Sequence, residues 1–279
     1  VAVPCFAEDP GELIDLGVAA ERAGFDGFFL WDHMVWANDG DGPPIVDPWL
    51  VLAVVAANTT RIRLGTMITP VPRRRPWQLA RETTTLDRIS GGRLILGVGI
   101  GSPAYGDFGI FHEPVSDRQR AELLDEGLDV LAGLWSGEKF SYQGKHFTID
   151  PVRFTPSPVQ RPRIPVWVGG VLPAPRPIAR AARWDGMVPI RYAERRLVRP
   201  SAGDIADVRG QIEALRGPGQ GGSAEGVDLV VWAEVASAPG EVEELAPGYE
   251  KAGATWWIET ARPEPGWWEG IQARIRRGV

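Results

Sequence analysis

The feature that most constrains this chain is a regular change of period along its length. Eight short apolar runs alternate with helical patterns from one end to the other. The runs fall at residues 1–6, 25–30, 62–69, 93–99, 165–169, 186–190, 227–235 and 254–258. They are nearly continuous in apolar character and rich in β-branched and aromatic residues, as strands buried on both faces are. Between them, residues 10–23 bring Leu13, Leu16, Ala20 and Ala23 to one helical face. Asp9 supplies an N-cap there, Pro10 suits the first turn, and Gly24 stops the helix. Residues 117–135 place Leu124, Leu128, Leu131 and Trp135 on another such face. Asp47-Pro48 and Arg75-Pro76 open two more helices, and weaker helical stretches follow at 175–183, 202–216, 240–251 and 265–277. Eight strands alternating with eight helices in 279 residues predict an α/β fold, a (β/α)8 TIM barrel forming one domain over residues 1–279. A doubly wound open sheet is the arrangement that periodicity leaves open beside it.

Some stretches depart from the rhythm. Residues 36–47 and 101–116 are rich in Gly, Asp and Pro, and both follow strands. Residues 140–165 predict a small hairpin around Gln143-Gly144 and then a Pro-rich excursion between the fourth helix and the fifth strand. The glycine-rich run at 217–223 reads as a flexible surface loop.

Composition narrows the function classes. Gly 34 and Pro 25 exceed average usage but stay below the level of disordered chains, and no Gly-X-Y period occurs. A net charge of −6 argues against nucleic-acid and anionic-membrane partners. A single cysteine, Cys5, excludes an internal disulfide framework, and three scattered histidines make no metal-ligand pattern, so no metal is expected. No apolar run approaches the roughly 18 residues of a membrane span. The first ten residues do not read as a signal peptide, so a cytoplasmic location is expected.

No G-x-S-x-G, H-E-x-x-H or Walker A pattern occurs. Gly97, Gly99 and Gly101 are spaced like the start of a dinucleotide fingerprint, but position 104 is Ala and no acidic strand end follows. More informative is Trp31-Asp32-His33-Met34, directly after the second strand. In a barrel that position lines the active-site mouth, where a carboxylate beside an imidazole can do acid/base work. The plainer reading is a capping Asp and a packed His. Gly65 in the third strand points to a close backbone approach or an ordinary bulge, with the Thr66 and Thr69 hydroxyls beside it. Arg73, Arg74 and Arg75 at the rim could meet an anionic ligand or form a solvated face. Gly169 and Gly170 end the fifth strand, where glycine N–H groups can turn to a phosphate or simply make a loop.

Taken in order, these pieces resemble the bacterial luciferase-like superfamily of flavin-dependent oxidoreductases. The resemblance covers nearly the whole chain. It rests on A-E-R-A-G-F-D-G-F-F-L-W-D-H (20–33), D-P-W (47–49), R-I-R-L-G-T-M-I-T-P (61–70), L-D-R-I-S-G-G-R-L-I-L-G-V-G-I-G (86–101), P-V-W-V-G-G (165–170) and A-A-R-W-D-G (181–186). The resemblance implies a flavin at the barrel's C-terminal mouth, either reduced FMN or the deazaflavin coenzyme F420. It implies His33 near the ring and substrate with Asp32 beside it, and a non-prolyl cis peptide at Met67–Ile68. It places Gly97, Val98 and Gly99 along the ring pocket, and Gly169 and Gly170 at the phosphate. Gly65, Thr66 and Arg75 complete the expected cofactor contacts. Many deazaflavin relatives carry a Glu soon after the fourth strand; here only Asp107 is acidic nearby.

The first reading is therefore a monooxygenase using reduced FMN and O2 on a small organic substrate. A separate flavin or F420 reductase and a homodimer are the expected partners. The close alternative is an F420-dependent reductase or dehydrogenase, and a non-catalytic flavin-binding barrel is the third. Trp36, Tyr105, Phe108, Phe111 and Tyr192 in the post-strand loops suggest an apolar or aromatic pocket.

Overall fold

A computed structural model describes residues 1–37, 41–173, 175–194, 196–217, 226–234, 240–261 and 263–279. Along the chain the elements are β1 (Ala2–Val3), α1 (Pro10–Arg22), β2 (Gly27–Leu30), α2 (Pro48–Ala57), β3 (Arg63–Pro70), α3 (Pro76–Ile89), β4 (Leu94–Gly99) and α4 (Asp117–Trp135). Then come β5 (Lys139–Gln143), β6 (Thr148–Arg153), β7 (Val166–Val171), α5 (Pro175–Ala181), β8 (Gly186–Ala193), β9 (Arg196–Val198), α6 (Ala202–Arg216), β10 (Asp228–Glu234), α7 (Glu241–Ala252), β11 (Trp256–Thr260) and α8 (Trp267–Arg277). Each of the eight apolar runs holds a strand. The first is shorter than the run predicts, because Pro4 has no N–H to extend the ladder. Residues 218–223 of the glycine-rich run lie outside the described residues; Gly217 ends α6.

The chain divides into two compact units. One comprises Pro4–Ile164 with Val279. In it β2, β3 and β4 pair in parallel, with Phe28 opposite Leu64 and Leu64 opposite Leu94. Phe28, Phe29, Leu64, Leu94 and Leu96 are completely buried, as expected of strands covered on both sides. The helix starts follow the caps read from sequence. Asp9 accepts from Gly11 N at 2.8 Å, and Asp47 accepts from Trp49 N and Leu50 N at 2.8 and 3.0 Å. The hairpin β5–β6 is antiparallel, as its turn sequence predicts.

The most specific sequence block, 86–101, has scaffold work in this unit. Asp87 accepts from Val159 N, Gln160 N and Gln160 Nε2, pinning the Pro-rich excursion. Arg93, buried, donates to the carbonyls of Ser90, Ile62, Ala56 and Thr59 and so ties the end of α2 to the start of β4. The β3–β4 register slips by one residue between Thr66 and Thr69, and the Met67–Ile68 peptide within that slip is cis. Gly65 and Gly97 make the slip sterically feasible. A Cβ on Gly65 would lie 1.8 Å from Ile95 O, and one on Gly97 would lie 2.3 Å from Thr66 O.

The second unit comprises Val1–Val3 and Pro165–Gly278. Here β7, β8, β10, β11 and β1 pair in parallel in that order, with Trp167 opposite Gly186 and Val230 opposite Trp256. Short β9 pairs antiparallel to the end of β8. Sequence reading misses β9, because its three residues form no apolar run of their own. Among the described residues no helix is long and apolar enough to cross a membrane.

Gly65→Ala is expected to lower stability by about 3 kcal/mol or more, because backbone on the neighbouring strand cannot yield to the new methyl. Gly210→Ala, on α6 with open space at its Cβ position, should instead stabilise by about 0.5–1 kcal/mol. Urea unfolding of both variants checks the contrast.

Candidate active site

The residues after β2 meet the end of β3 and the loop after β4 in one polar cluster, all within the Pro4–Ile164 unit. At its centre is Asp32, 2% exposed. Its Oδ1 accepts from Arg73 Nη2 at 2.7 Å, and both its oxygens accept from Arg74 Nη2 at 2.9 Å. Its Oδ2 also accepts from the Thr69 hydroxyl at 2.8 Å. Burial pushes this carboxyl up, but Arg74 and Arg73 hold it below the usual carboxylate range. The structure thus places Asp32 beside His33 in sequence but turns its side chain inward, onto two arginines.

His33 turns the other way and is 17% exposed at its side chain. Its Nδ1 lies 2.5 Å from Asp107 Oδ2, across 74 residues of sequence. Asp107 is buried, and its Oδ1 accepts from Met34 N at 2.7 Å and Val35 N at 3.1 Å. Arg73 Nη1 stands 3.0 Å from the same oxygen, so one guanidinium bridges both carboxylates. Burial pushes Asp107 up, but the His33 hydrogen bond, then Arg73 and the Met34 N–H, leave it below the usual range. Sequence reading noted Asp107 as the sole nearby acid but gave it no partner. No local pattern links a loop after β4 to a histidine after β2.

Aromatic rings wall the histidine. Trp36 and Tyr105 stack with centroids 4.0 Å apart, and both present themselves edge-to-face to His33, at 4.7 and 5.7 Å. Trp31 lies 6.1 Å from the same ring. Phe108 is not part of this wall: it is fully buried with the Arg120 guanidinium 4.8 Å above its ring. Phe111 is exposed. Cys5 is buried, and burial pushes its thiol up to about 12, so it is no nucleophile.

The arginine run splits. Arg73 and Arg74 are consumed by this chain's own carboxylates, whereas Arg75 is exposed beside Trp77. Thr66 is fully buried, its hydroxyl 2.7 Å from that of Thr69. Met67 and Val98 are also buried, and Ile68 packs where a Cβ on Gly99 would fall, 3.1 Å from its Cγ2. Gly65 and Gly97 face neighbouring backbone, so chain packing alone accounts for them. Gly169 and Gly170 lie one residue short of the end of β7 in the other unit, where a Cβ on Gly170 would strike Pro177 at 2.3 Å. Tyr192 belongs to that unit as well and is exposed on β8. Among the described residues no cluster could hold a metal ion.

A family model described as luciferase-like monooxygenase matches residues 4–254. The chain belongs to the luciferase-like family. An F420-dependent glucose-6-phosphate dehydrogenase of Microbacterium testaceum is 35% identical over 167 residues, covering 59% of this chain and 48% of that protein. The chain spans about half the length of the curated relatives it matches. The coenzyme F420 dependent tetrahydromethanopterin reductase of Methanopyrus kandleri superposes with TM-score 0.76 at 18% identity, covering 100% of this chain and 97% of that one. The monooxygenase RslO1 of Streptomyces bottropensis superposes with TM-score 0.68 at 20% identity, covering 99% and 97%. These likenesses show the fold, a (β/α)8 barrel, in place of the open sheet. A reductase and a monooxygenase both share it, so the luciferase-like fold does not choose between their chemistries.

Asp32→Ala should lower stability by about 3 kcal/mol, since it leaves the largely buried Arg73 with Asp107 alone and Arg74 with Glu82 alone. A carboxyl held below its ordinary value stabilises above about pH 4, and that stability fades as pH falls toward the folded-state value. The stability gap between parent and variant, measured by denaturant unfolding, should therefore narrow below about pH 4.

Proposed function

We propose that this chain is an F420-dependent oxidoreductase that moves a hydride between the deazaflavin and a small hydroxyl- or carbonyl-bearing substrate. The observation that carries the reading is His33: a partly exposed imidazole held against a buried carboxylate and walled by aromatic rings at a strand's C-terminal end. Sequence pattern alone ranks FMN monooxygenation first. The relatives that are about a third identical over the aligned segment reverse that order, because they are named F420-dependent dehydrogenases.

The residues present suit the ring of such a coenzyme. A stacked indole–phenol pair beside one imidazole offers flat apolar surface and a single proton-carrying group. They suit the anionic tail less, since Arg73 and Arg74 are neutralised internally; Arg75 is the cation of that run left for that end. When bound, the deazaflavin supplies hydride transfer. The protein's share is to take the proton of the substrate hydroxyl on His33, or return it in the reverse direction. Trp31, Trp36 and Tyr105 limit water around that imidazole. Asp32, held by Arg73 and Arg74, fixes the backbone from which His33 projects.

FMN monooxygenation is the second reading, favoured by the description of the matching family model. It would call for a separate reductase to deliver reduced flavin. Titration with each coenzyme, followed by absorbance and fluorescence, separates the two. F420 should bind with a Kd at least about tenfold below that of FMN, a difference of about 1.4 kcal/mol. Tighter FMN binding with O2-dependent turnover would reverse the assignment. His33→Ala should lower kcat with a competent substrate by about 10²- to 10⁴-fold and leave coenzyme affinity largely intact.

A further inference from the structure

We propose that Asp107 is the positioning residue of His33: it holds the neutral imidazole with its proton on Nδ1, so that Nε2 is the atom that exchanges protons with substrate. This rests on the reading of His33 given above. The geometry that carries it is the set of donors around one carboxylate. An ionised carboxylate only accepts, so a ring nitrogen in contact with it must bear the proton. Asp107 Oδ2 meets Nδ1 at 2.5 Å. Its Oδ1 already takes the Met34 and Val35 N–H groups and faces Arg73. Among the described residues every contact on Asp107 is thus a donor or a cation, which keeps it ionised and denies it the role of proton donor. With Nδ1 occupied, the free valence of the neutral ring is on Nε2.

The same carboxylate joins two loops. Through the N–H groups of Met34 and Val35 it ties the segment after His33 to the loop after β4. That loop also carries Tyr105, which stacks on Trp36. Ring tautomer, ring orientation and the aromatic wall therefore depend on one side chain. A carboxamide at position 107 is the informative change, because it can donate to Nδ1 and so favour the opposite tautomer.

The test uses the full chain with 15N-labelled histidine and no coenzyme. His33 is assigned by the signal lost in H33Q, at a pH where the neutral ring dominates. The expected result is an Nδ1–H tautomer in the parent and an increased Nε2–H fraction in D107N. With coenzyme and a competent substrate, D107N should lose kcat by about 10²- to 10⁴-fold with KM changed less than about threefold. A parent His33 protonated on Nε2 overturns the proposal. So does a D107N protein whose tautomer and kcat match the parent. If D107N does not fold, the parent's tautomer decides alone. If His33→Ala leaves turnover unchanged, the function assigned to His33 fails while the tautomer result still stands, so the two failures are distinguishable.

Discussion

The site depends on a buried charge cluster in which two aspartates face two arginines. Asp32 and Asp107 are almost fully withdrawn from water, and Arg73 touches both. Burying any one of these charges alone would be costly; burying them together, with the Thr69 hydroxyl and two backbone N–H groups filling the remaining valences, is tolerable. The arrangement need not add stability over an apolar core of equal volume. What it adds is direction. A carboxylate anchored at both oxygens can hold neighbouring chain in one orientation, and here the neighbouring chain carries His33.

That cluster also explains why β3 is built as it is. Arg73 and Arg74 reach Asp32 from just past the strand's end, and Thr69 reaches it from within the strand. The one-residue slip against β4 lies between Thr66 and Thr69, immediately before these groups. The slip brings backbone so close that Gly65 and Gly97 leave no room for a side chain. The glycines of G-T-M-I-T and L-G-V-G are thus scaffold features first. Any contact they make with a coenzyme is through backbone that the sheet already requires to be bare.

The fold was legible because the strands and helices, short β9 apart, announce themselves locally. The apolar runs, the Asp-Pro helix starts and the Gln143-Gly144 turn each act over a few residues, and each appears in the structure close to its expected place. The site was legible in part. Trp31-Asp32-His33 marks the right segment, but sequence alone makes Asp32 look like the partner of His33 because the two adjoin. Adjacent residues at the end of a strand point to opposite sides, so the carboxylate beside a histidine in sequence is the one least able to bond it. The actual partner stands 74 residues away on a loop without periodicity. The arginine run was ambiguous for a similar reason: whether a cation faces solvent or a buried carboxylate depends on the far side of the sheet.

Two carboxylates and one imidazole in a cluster could divide acid/base work in several ways, and environment removes most of them. Both carboxylates are surrounded by donors that favour the ionised form, and both are held below their usual range despite burial. A group in that condition has no proton to give near neutral pH. Arginine stays charged throughout. The imidazole is 17% exposed at its side chain, against 1% for either carboxylate. It is to this partly exposed ring that the proposed function gives proton exchange.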